Sequence, residues 1–233
     1  MTTTESGSKI VVRPVERKNL KRLAEIHQRA LMDPTSQTPD PLSEALQAEP
    51  DPDLGRHPTE EERVARTLAR LTAEFSSGKY DVVGAFYPSN EEGKEDEMAG
   101  FAIWRRLTPD DESDLPEWKA KVEQNPTLFH RFMHKMFETR ERVMQGKSYY
   151  FLKLLCIDRQ FQRMGIGSTL VRYGTQKADA EGVDAYLESS PAGKGAYIKN
   201  GFEVIDYDEV PAATAPGGKV SWPYMIHRPK TAS

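Results

Sequence analysis

Two glycines one residue apart, Gly165 and Gly167, lie in the stretch QRMGIGSTLV that begins at Gln162. Apolar residues recur at helical spacing after them, so the glycines are expected to open a helix. The first turn of a helix presents backbone N–H groups without intrahelical partners and carries a partial positive charge. Glycines let an anion approach this backbone closely. The pattern therefore predicts a loop that binds a phosphate-bearing molecule.

Two common phosphate-binding motifs fit this loop poorly. A P-loop ends in Gly-Lys-Ser/Thr, whereas Gly167 is followed directly by Ser168 and Thr169. A dinucleotide-binding fingerprint starts at the strand end and carries a third glycine. Here residues 158–164 separate the strand from the first glycine, and Leu170 stands at the third-glycine position. The sequence therefore disfavours both P-loop hydrolysis of ATP or GTP and a Rossmann-type site.

The elements that position this loop alternate between strands and helices, which predicts one α/β domain. Strands have short runs rich in β-branched and aromatic residues, and helices have apolar stripes at three- and four-residue spacing. Thr59 and Glu62 form a capping-box pattern that starts one of the helices. The predicted strands are 9–14, 80–87, 98–105, 149–157, 185–188, 202–207 and 220–227, and the predicted helices are 20–33, 59–78, 166–182 and 193–200.

Two segments interrupt this alternation. Residues 32–57 contain five prolines, so no long regular element is expected there. Residues 107–146 predict a helical insertion, in which Pro116 starts a short helix, Asn125-Pro126 breaks it and a longer apolar stripe follows. We expect the specificity for the second substrate to reside in these two irregular segments.

The loop resembles the acetyl-CoA signature Q/R-x-x-G-x-G/A of the GNAT superfamily of N-acetyltransferases. A second block, SSPAGKGAYIKNGFEVID at 189–206, resembles the family's later block, in which a tyrosine precedes a Gly-Phe strand start. The closest resemblance is to fungal GNAT-like proteins of unassigned substrate, on LKLLCIDRQFQRMGIGSTLV and YLESSPAGKGAYIKNGF. The chain departs from them at Asp158-Arg159, where such proteins commonly carry a proline.

The resemblance implies a single GNAT-like domain over residues 1–233, with a mixed, mostly antiparallel central sheet flanked by helices. Within it, the N-terminal strand, helices and hairpin would occupy 9–106, the helical insertion 107–147, the acetyl-CoA-binding core 148–208, and the C-terminal strand and tail 209–233. It also implies acetyl-CoA as cofactor and direct attack of an amine on the thioester. The acceptor is either a small molecule or a protein amine.

The resemblance further implies a set of cofactor-binding residues. Backbone N–H groups of residues 163–168 would hold the pyrophosphate, and the backbone of residues 155–157 would run alongside pantetheine, where an N–H could polarise the thioester carbonyl. Ser190 could hydrogen-bond the pantetheine or cap the following helix. The complete set is Leu155, Cys156, Ile157, Gln162, Arg163, Met164, Gly165, Ile166, Gly167, Ser168 and Ser190.

Two residues are candidates for proton transfer. Tyr197 matches the family tyrosine that protonates the departing thiolate, and a phenol of pKa about 10 suits a thiol of pKa about 8.5. The alternative is a tyrosine that only packs in the core. Glu188, at a strand end, is the candidate general base, and its alternative is a surface carboxylate. Cys156 is interpreted as a buried, inert cysteine because no activating base lies near it in the sequence.

Other candidate residues are interpreted conservatively. His130 and His134 have the spacing of a helical metal pair, but Arg131 replaces the glutamate of HExxH, so we expect no metal site. The stripe of Met and Phe residues around them is interpreted as core or as the wall of an apolar substrate pocket. Lys153 could face the acceptor pocket or extend into solvent. The stripe comprises Phe129, Phe132, Met133, Met136, Phe137 and Met144.

Composition limits the partners. Lys and Arg number 32 against 36 Asp and Glu, a net charge of −4, so we expect neither nucleic acid nor an anionic membrane as partner. The absence of a signal pattern and of a long apolar run, together with a single cysteine, predicts the cytoplasm, with the nucleus as an alternative. The sequence does not predict an oligomeric state. A non-catalytic acyl-CoA-binding or interaction module is the alternative function.

Overall fold

The computed structural model describes residues 2–3, 9–31, 41–51, 54–89, 93–213 and 215–230. Eight strands form a sheet in which β5 and β6 pair in parallel and the other neighbouring strands pair antiparallel. The predicted mixed, mostly antiparallel sheet is therefore confirmed. The strands are β1 (Thr2–Thr3), β2 (Lys9–Pro14), β3 (Asp81–Tyr87), β4 (Glu97–Leu107), β5 (Tyr149–Ile157), β6 (Asp184–Glu188), β7 (Glu203–Pro211) and β8 (Lys219–His227). Their spatial order is β1-β2-β3-β4-β5-β6-β8-β7.

Seven helices flank the sheet in the described ranges. The capping box of Thr59 and Glu62 is present at the start of α3. The helices are α1 (Leu20–Leu31), α2 (Pro41–Ala48), α3 (Glu60–Ser76), α4 (Leu115–Gln124), α5 (Leu128–Met144), α6 (Ile166–Glu181) and α7 (Lys194–Lys199). No helix in these ranges is long and apolar enough to cross a membrane.

The segment between α1 and α3 contains one element that the sequence did not predict. Its prolines exclude a long helix, but α2 has only eight residues and begins with Pro41, a position where proline is well accommodated. Positions 32–40 and 52–53 of the predicted connection lie outside the described residues. The predicted strand 202–207 is too short, because β7 continues to Pro211 by pairing with β8.

Helices cover both faces of the sheet. On one face α6 packs on β4, β5 and β6, and a Cβ on Gly174 would lie 2.2 Å from the ring of Trp104, so the glycine permits this close approach. On the opposite face, α1 and α3 cover β3, β4 and the end of β5, and α5 covers the start of β5 and β6. The helical insertion of α4 and α5 therefore lies on the face opposite α6.

The strands β5 and β6 separate in the middle of the sheet. Their parallel pairing runs from Tyr149↔Asp184 to Leu152↔Leu187. Lys153 is the extra residue of a β-bulge, since β4 pairs with Leu152 and then with Leu154. Beyond it, β5 continues to Ile157 with no partner on the β6 side. We call this separation, between Lys153 of β5 and Glu188 of β6, the fork.

Candidate functional site

The glycine loop has the backbone geometry of an anion-binding loop. Arg163 has a φ of 63° and is the one non-glycine residue in the described part of the chain with a positive φ. Gly165, with a φ of 78°, is the N-cap of α6. Gln162, Arg163 and Gly165 are exposed, so the loop that leads into the first turn of α6 is open to solvent. The predicted loop-to-helix transition is confirmed.

The two glycines have different requirements in the folded chain. Gly165 needs its left-handed conformation, although a Cβ there would meet nothing within 4 Å. A Cβ on Gly167 would lie 3.9 Å from Ile157 and from Leu155, which is ordinary van der Waals contact. The fold therefore tolerates alanine at position 167, and the space beside Gly167 is available to a ligand.

A buried carboxylate fixes the start of the loop. Asp158 is 3% exposed and its Oδ2 accepts hydrogen bonds from Arg22 at 2.7 Å and from Arg29 at 3.3 Å. Its backbone N–H donates to the carbonyl of Ala99 at 2.9 Å, a bond that a proline could not make. The departure at Asp158-Arg159 thus connects the end of β5 to α1 and β4.

Hydrogen bonds donated by side chains hold the loop and α7 in place. Gln162 donates from Nε2 to the carbonyl of Ile157 at 3.3 Å. Asn200, at the end of α7, donates from Nδ2 to Oγ of Ser168 at 2.9 Å. These contacts connect the first turn of α6 both to β5 and to the helix that carries Tyr197.

The Tyr197 side chain is buried beside β5. The residue is 9% exposed and its ring packs edge-to-face on Phe202 at 6.0 Å. Burial, with the nearby Cys156 as a second cause, raises the pKa of the phenol above its ordinary value. The phenol is therefore protonated at neutral pH, and it is a weaker acid than an exposed tyrosine.

The Cys156 side chain is buried on the α1 and α3 face. Burial raises the pKa of its thiol to about 12, and Arg70 opposes the shift. The thiol is protonated at neutral pH and inert as a nucleophile, as the sequence interpretation expected. The flanking Leu155 and Ile157 side chains pack on the α6 side.

Glu188 lies at the fork with an almost completely buried side chain. That side chain is 4% exposed, so the alternative interpretation as a surface carboxylate is wrong. Its Oε1 makes no hydrogen bond within the described part of the chain and lies 3.9 Å from Nη1 of Arg140. Burial raises the pKa of this carboxyl to about 7, with Arg140 as the opposing cause. A base with this pKa is suited to proton transfer at neutral pH.

A cavity of about 410 Å³ lies under α5 and reaches the fork. Lys153, the bulged residue at the fork, is part of its wall. The other wall residues come from the position before β3, from β4 and the loop after it, from the start of α4, from α5 and the loop after it, and from β5. They include Tyr80, Arg105, Leu107, Asp111, Phe137, Arg140, Met144, Tyr149 and Phe151. The cavity therefore approaches the fork from the face opposite the glycine loop.

Lys153 faces this cavity and also reaches α3. Its Nζ lies 2.7 Å from Oε1 of Glu74 and 4.9 Å from the ring centroid of Tyr80. Of the two interpretations of Lys153, the position in a pocket is the one that the structure shows.

Ser190 and the two histidines make local structural contacts. Oγ of Ser190 accepts a hydrogen bond from the N–H of Gly193, the N-cap residue of α7, at 3.2 Å, so this side chain stabilises the turn that leads into α7. His130 lies in the first turn of α5, where its N–H donates to Oγ1 of Thr127 at 3.1 Å. In the ranges that the structure describes, no group of three or more His, Cys, Asp or Glu side chains could hold a metal ion.

The apolar stripe of α5 is only partly core. Phe132 and Met144 are buried, whereas Phe129 is 43% exposed and packs on Trp118 at 5.8 Å, so its assignment to the core is wrong.

Arg140 was missed by the sequence analysis. It follows Phe137 by three residues and precedes Met144 by four, so a charge on the apolar stripe was the signal that could have found it.

Comparison with known proteins agrees with this fold. Residues 123–212 match the family model described as acetyltransferase (GNAT) domain, a stretch that holds α5, the fork, the glycine loop and Tyr197. No curated protein sequence matches the chain.

Solved structures of acetyltransferases share the architecture. The polyamine N-acetyltransferase of Drosophila melanogaster, which forms N-acetylagmatine, is 13% identical, covers 94% of this chain and 100% of its own, and has a TM-score of 0.59. A mosquito arylalkylamine N-acetyltransferase like 5b is 14% identical over 94% and 100%, with a TM-score of 0.58. Arabidopsis thaliana NAA60 in complex with acetyl-CoA is 12% identical over 94% and 99%, with a TM-score of 0.55.

The fold of this chain is that of GNAT acetyltransferases. The matched domain model covers the segment that carries the site, and the structural similarity extends over nearly the whole chain. At these identities the similarity bears on the fold, and the resemblance to fungal proteins stays a prediction.

Proposed function

We propose that this protein is an acetyl-CoA-dependent N-acetyltransferase that acts on a primary amine in a ternary complex. The observation that carries the proposal is the fork. A glycine loop suited to phosphate lies on one face of it, and a cavity beside a buried carboxylate lies on the other. Two substrates can thus meet at the fork from opposite faces of the sheet.

The residues on the first face fit acetyl-CoA. The N-terminus of α6 offers backbone N–H groups to a pyrophosphate, and the open space beside Gly167 lets it approach. The segment of β5 beyond Lys153 has no β6 partner, so its backbone is available to the amide groups of a pantetheine arm. Bound there, acetyl-CoA would supply the activated acetyl thioester.

Both backbone groups and side chains at the fork would take part in transfer of the acetyl group. An N–H of residues 155–157 polarises the thioester carbonyl, since a donor aimed at developing negative charge accelerates acyl transfer. Glu188 accepts a proton from the incoming ammonium, which frees the nitrogen lone pair. The new C–N bond forms as the C–S bond breaks. The second proton leaves the nitrogen as the amide forms and replaces the proton that Tyr197 gives to the sulfur, so that the phenol is restored.

Tyr197 would protonate the departing sulfur. Its raised pKa keeps the phenol protonated before the reaction, and its position on α7 beside Cys156 places it next to the unpaired part of β5. Direct attack by the amine needs no covalent enzyme intermediate. Cys156 supports this route, because a thiol with a pKa of about 12 is a poor nucleophile at neutral pH.

A small-molecule acceptor suits the second face. A cavity of about 410 Å³ with aromatic walls is large enough for a compact organic amine. Two structural neighbours are named for arylalkylamine and polyamine acetylation, and we take their acceptors as the starting panel.

The first experiment is a thermal-shift titration with acetyl-CoA, because saturation at about 100 times Kd stabilises a fold by about 2.7 kcal/mol. We expect stabilisation of the wild type and none of Gly167→Glu, whose carboxylate would occupy the phosphate space. Gly195→Glu is the matched control, since Gly195 also has open space around it but lies on α7.

Absence of stabilisation of the wild type would contradict the proposal. If acetyl-CoA binds, release of free CoA in the presence of the amine panel tests catalysis. Binding without turnover of any amine would favour the non-catalytic alternative.

A further inference from the structure

Arg140 is a cation in the cavity wall that lacks a hydrogen-bonding partner. Its side chain is 11% exposed, and its guanidinium lies 4.2 Å from the ring centroid of Phe137 and 4.4 Å from that of Phe151. Over the described residues it makes no hydrogen bond, and its nearest carboxylate oxygen, on Glu188, is 3.9 Å away. Two aromatic rings therefore hold a guanidinium whose N–H groups remain free to bind.

The other two cations at this end of the cavity already have close partners. Arg105 donates from Nη2 to Oδ1 of Asp111 at 2.6 Å. Lys153 donates from Nζ to Oε1 of Glu74 at 2.7 Å. Arg140 is thus the one of these three cations that can bind an anionic group of a ligand without losing a short ion pair.

Aromatic side chains line part of the cavity. Tyr80, Phe137, Tyr149 and Phe151 belong to its wall together with aliphatic side chains, and the wall also carries charged and polar side chains from the loop after β4 and from α5. A ligand that fills this space would bury an apolar body against the rings and place an anionic group on Arg140. A cationic group of the same ligand would be directed toward Glu188, which is not itself a wall residue but lies 3.9 Å from Arg140.

We propose that the amine acceptor is a free α-amino acid with an aromatic or large apolar side chain, whose carboxylate pairs with Arg140 and whose amine faces Glu188. The inference rests on the function proposed above and names its substrate class. An Arg–carboxylate pair is frequently bidentate, which would fix the orientation of the amine at the fork.

The short distance between the two charged residues sets the spacing within the ligand. Nη1 of Arg140 and Oε1 of Glu188 are 3.9 Å apart, so one ligand can reach both only if its carboxylate and its amine are close together. An α-amino acid meets this condition. A diamine or a simple arylalkylamine would leave the Arg140 N–H groups unpaired, and an unpaired buried donor costs binding free energy.

The test compares matched ligands by calorimetry in the presence of CoA and by release of free CoA from acetyl-CoA. The panel pairs phenylalanine, leucine, methionine and tryptophan each with the amine that lacks the carboxylate, such as 2-phenylethylamine. The ligand 3-phenylpropanoate keeps the carboxylate and lacks the amine. We expect at least one amino acid to bind at least tenfold more tightly than its amine, and 3-phenylpropanoate to compete with it.

The variant Arg140→Met keeps an unbranched stem between the two rings and removes the charge. We expect it to weaken binding of the amino acid at least tenfold, not to weaken binding of 2-phenylethylamine, and to leave the affinity for acetyl-CoA within about twofold. Lys135→Met is the control, because Lys135 lies on the exposed side of the same helix.

Two results would overturn the inference. One is that no amino acid of the panel binds more tightly than its amine. The other is that Arg140→Met weakens amino acid and amine equally, which would assign Arg140 a structural role only. Either result with intact acetyl-CoA binding and turnover of an amine leaves the proposed function in place, whereas loss of acetyl-CoA binding by the wild type contradicts the function itself.

Discussion

The two faces of the fork hold their ligands by different means. On the α6 face, the glycine loop offers backbone N–H groups from one continuous segment, and side chains act mainly by holding that segment in place. On the α5 face, the cavity depends on side chains from β4, β5, α5 and the residue before β3, which are far apart in the sequence. The first site can therefore be encoded in a short motif, whereas the second exists only after folding.

Glu188→Gln should have the largest effect of the substitutions at the fork. The amide cannot accept the proton of the ammonium, so we expect kcat/KM to fall about 10²- to 10⁴-fold, the usual range for loss of a general base. Because the ionised carboxylate is the active form, the wild-type rate should rise with pH to a plateau with a midpoint near the pKa of about 7. The variant should lose this dependence.

Glu203→Gln is the control for this measurement, since Glu203 is an exposed carboxylate on β7 paired with Arg228. A variant at position 188 that retains the wild-type rate and pH profile would exclude Glu188 as the base. The cavity face would then contribute to binding of the amine but not to its deprotonation.

Tyr197→Phe should have the next largest effect. The ring still packs on Phe202, but the leaving thiolate loses its proton donor, so we expect kcat to fall about 10²-fold with the KM for acetyl-CoA nearly unchanged. Steady-state kinetics with saturating amine measures both constants. Tyr207→Phe, an exposed tyrosine on β7, should behave as the wild type. Unchanged kcat in the Tyr197 variant would leave this residue with a packing role.

Asp158→Asn tests how the loop is held in place. The substitution leaves Arg22 and Arg29 without their shared carboxylate, so we expect the free energy of unfolding to fall by about 1–3 kcal/mol and acetyl-CoA to bind more weakly. Chemical denaturation and calorimetry measure the two effects. Glu25→Gln is matched, because Glu25 lies 3.8 Å from the same Arg22 but is more exposed, and it should change stability by less than about 0.5 kcal/mol.

The smallest expected effect is the difference between alanine substitutions at Gly165 and at Gly167. Gly165→Ala places a Cβ in a left-handed conformation and should cost about 1–2 kcal/mol of stability, measured by denaturation. Gly167→Ala introduces no such strain. It should leave the free energy of unfolding unchanged and change the affinity for acetyl-CoA by no more than about twofold. If both variants lost the same stability and the same affinity for acetyl-CoA, the left-handed conformation of Gly165 would not be what distinguishes the two glycines.

Much of the fold and one side of the site could be predicted from the sequence. Tyr197 and the glycine loop lie in short motifs, and local periodicity predicts the strand before them, so their positions follow from local sequence. The burial of Glu188 could not be predicted, because it depends on α5 packing over β6. Arg140 looks like one more charge in a charged helix, and α2 is a short helix hidden among prolines.

A crystal structure of the protein with CoA and an amine acceptor tests the central claim most directly. We expect the pyrophosphate on the N–H groups of residues 163–168, the pantetheine beside residues 155–157, and the sulfur at the fork between Tyr197 and Glu188. The acceptor should lie in the cavity under α5, on the face opposite α6. CoA bound away from the glycine loop, or both ligands on the same face of the sheet, would contradict it.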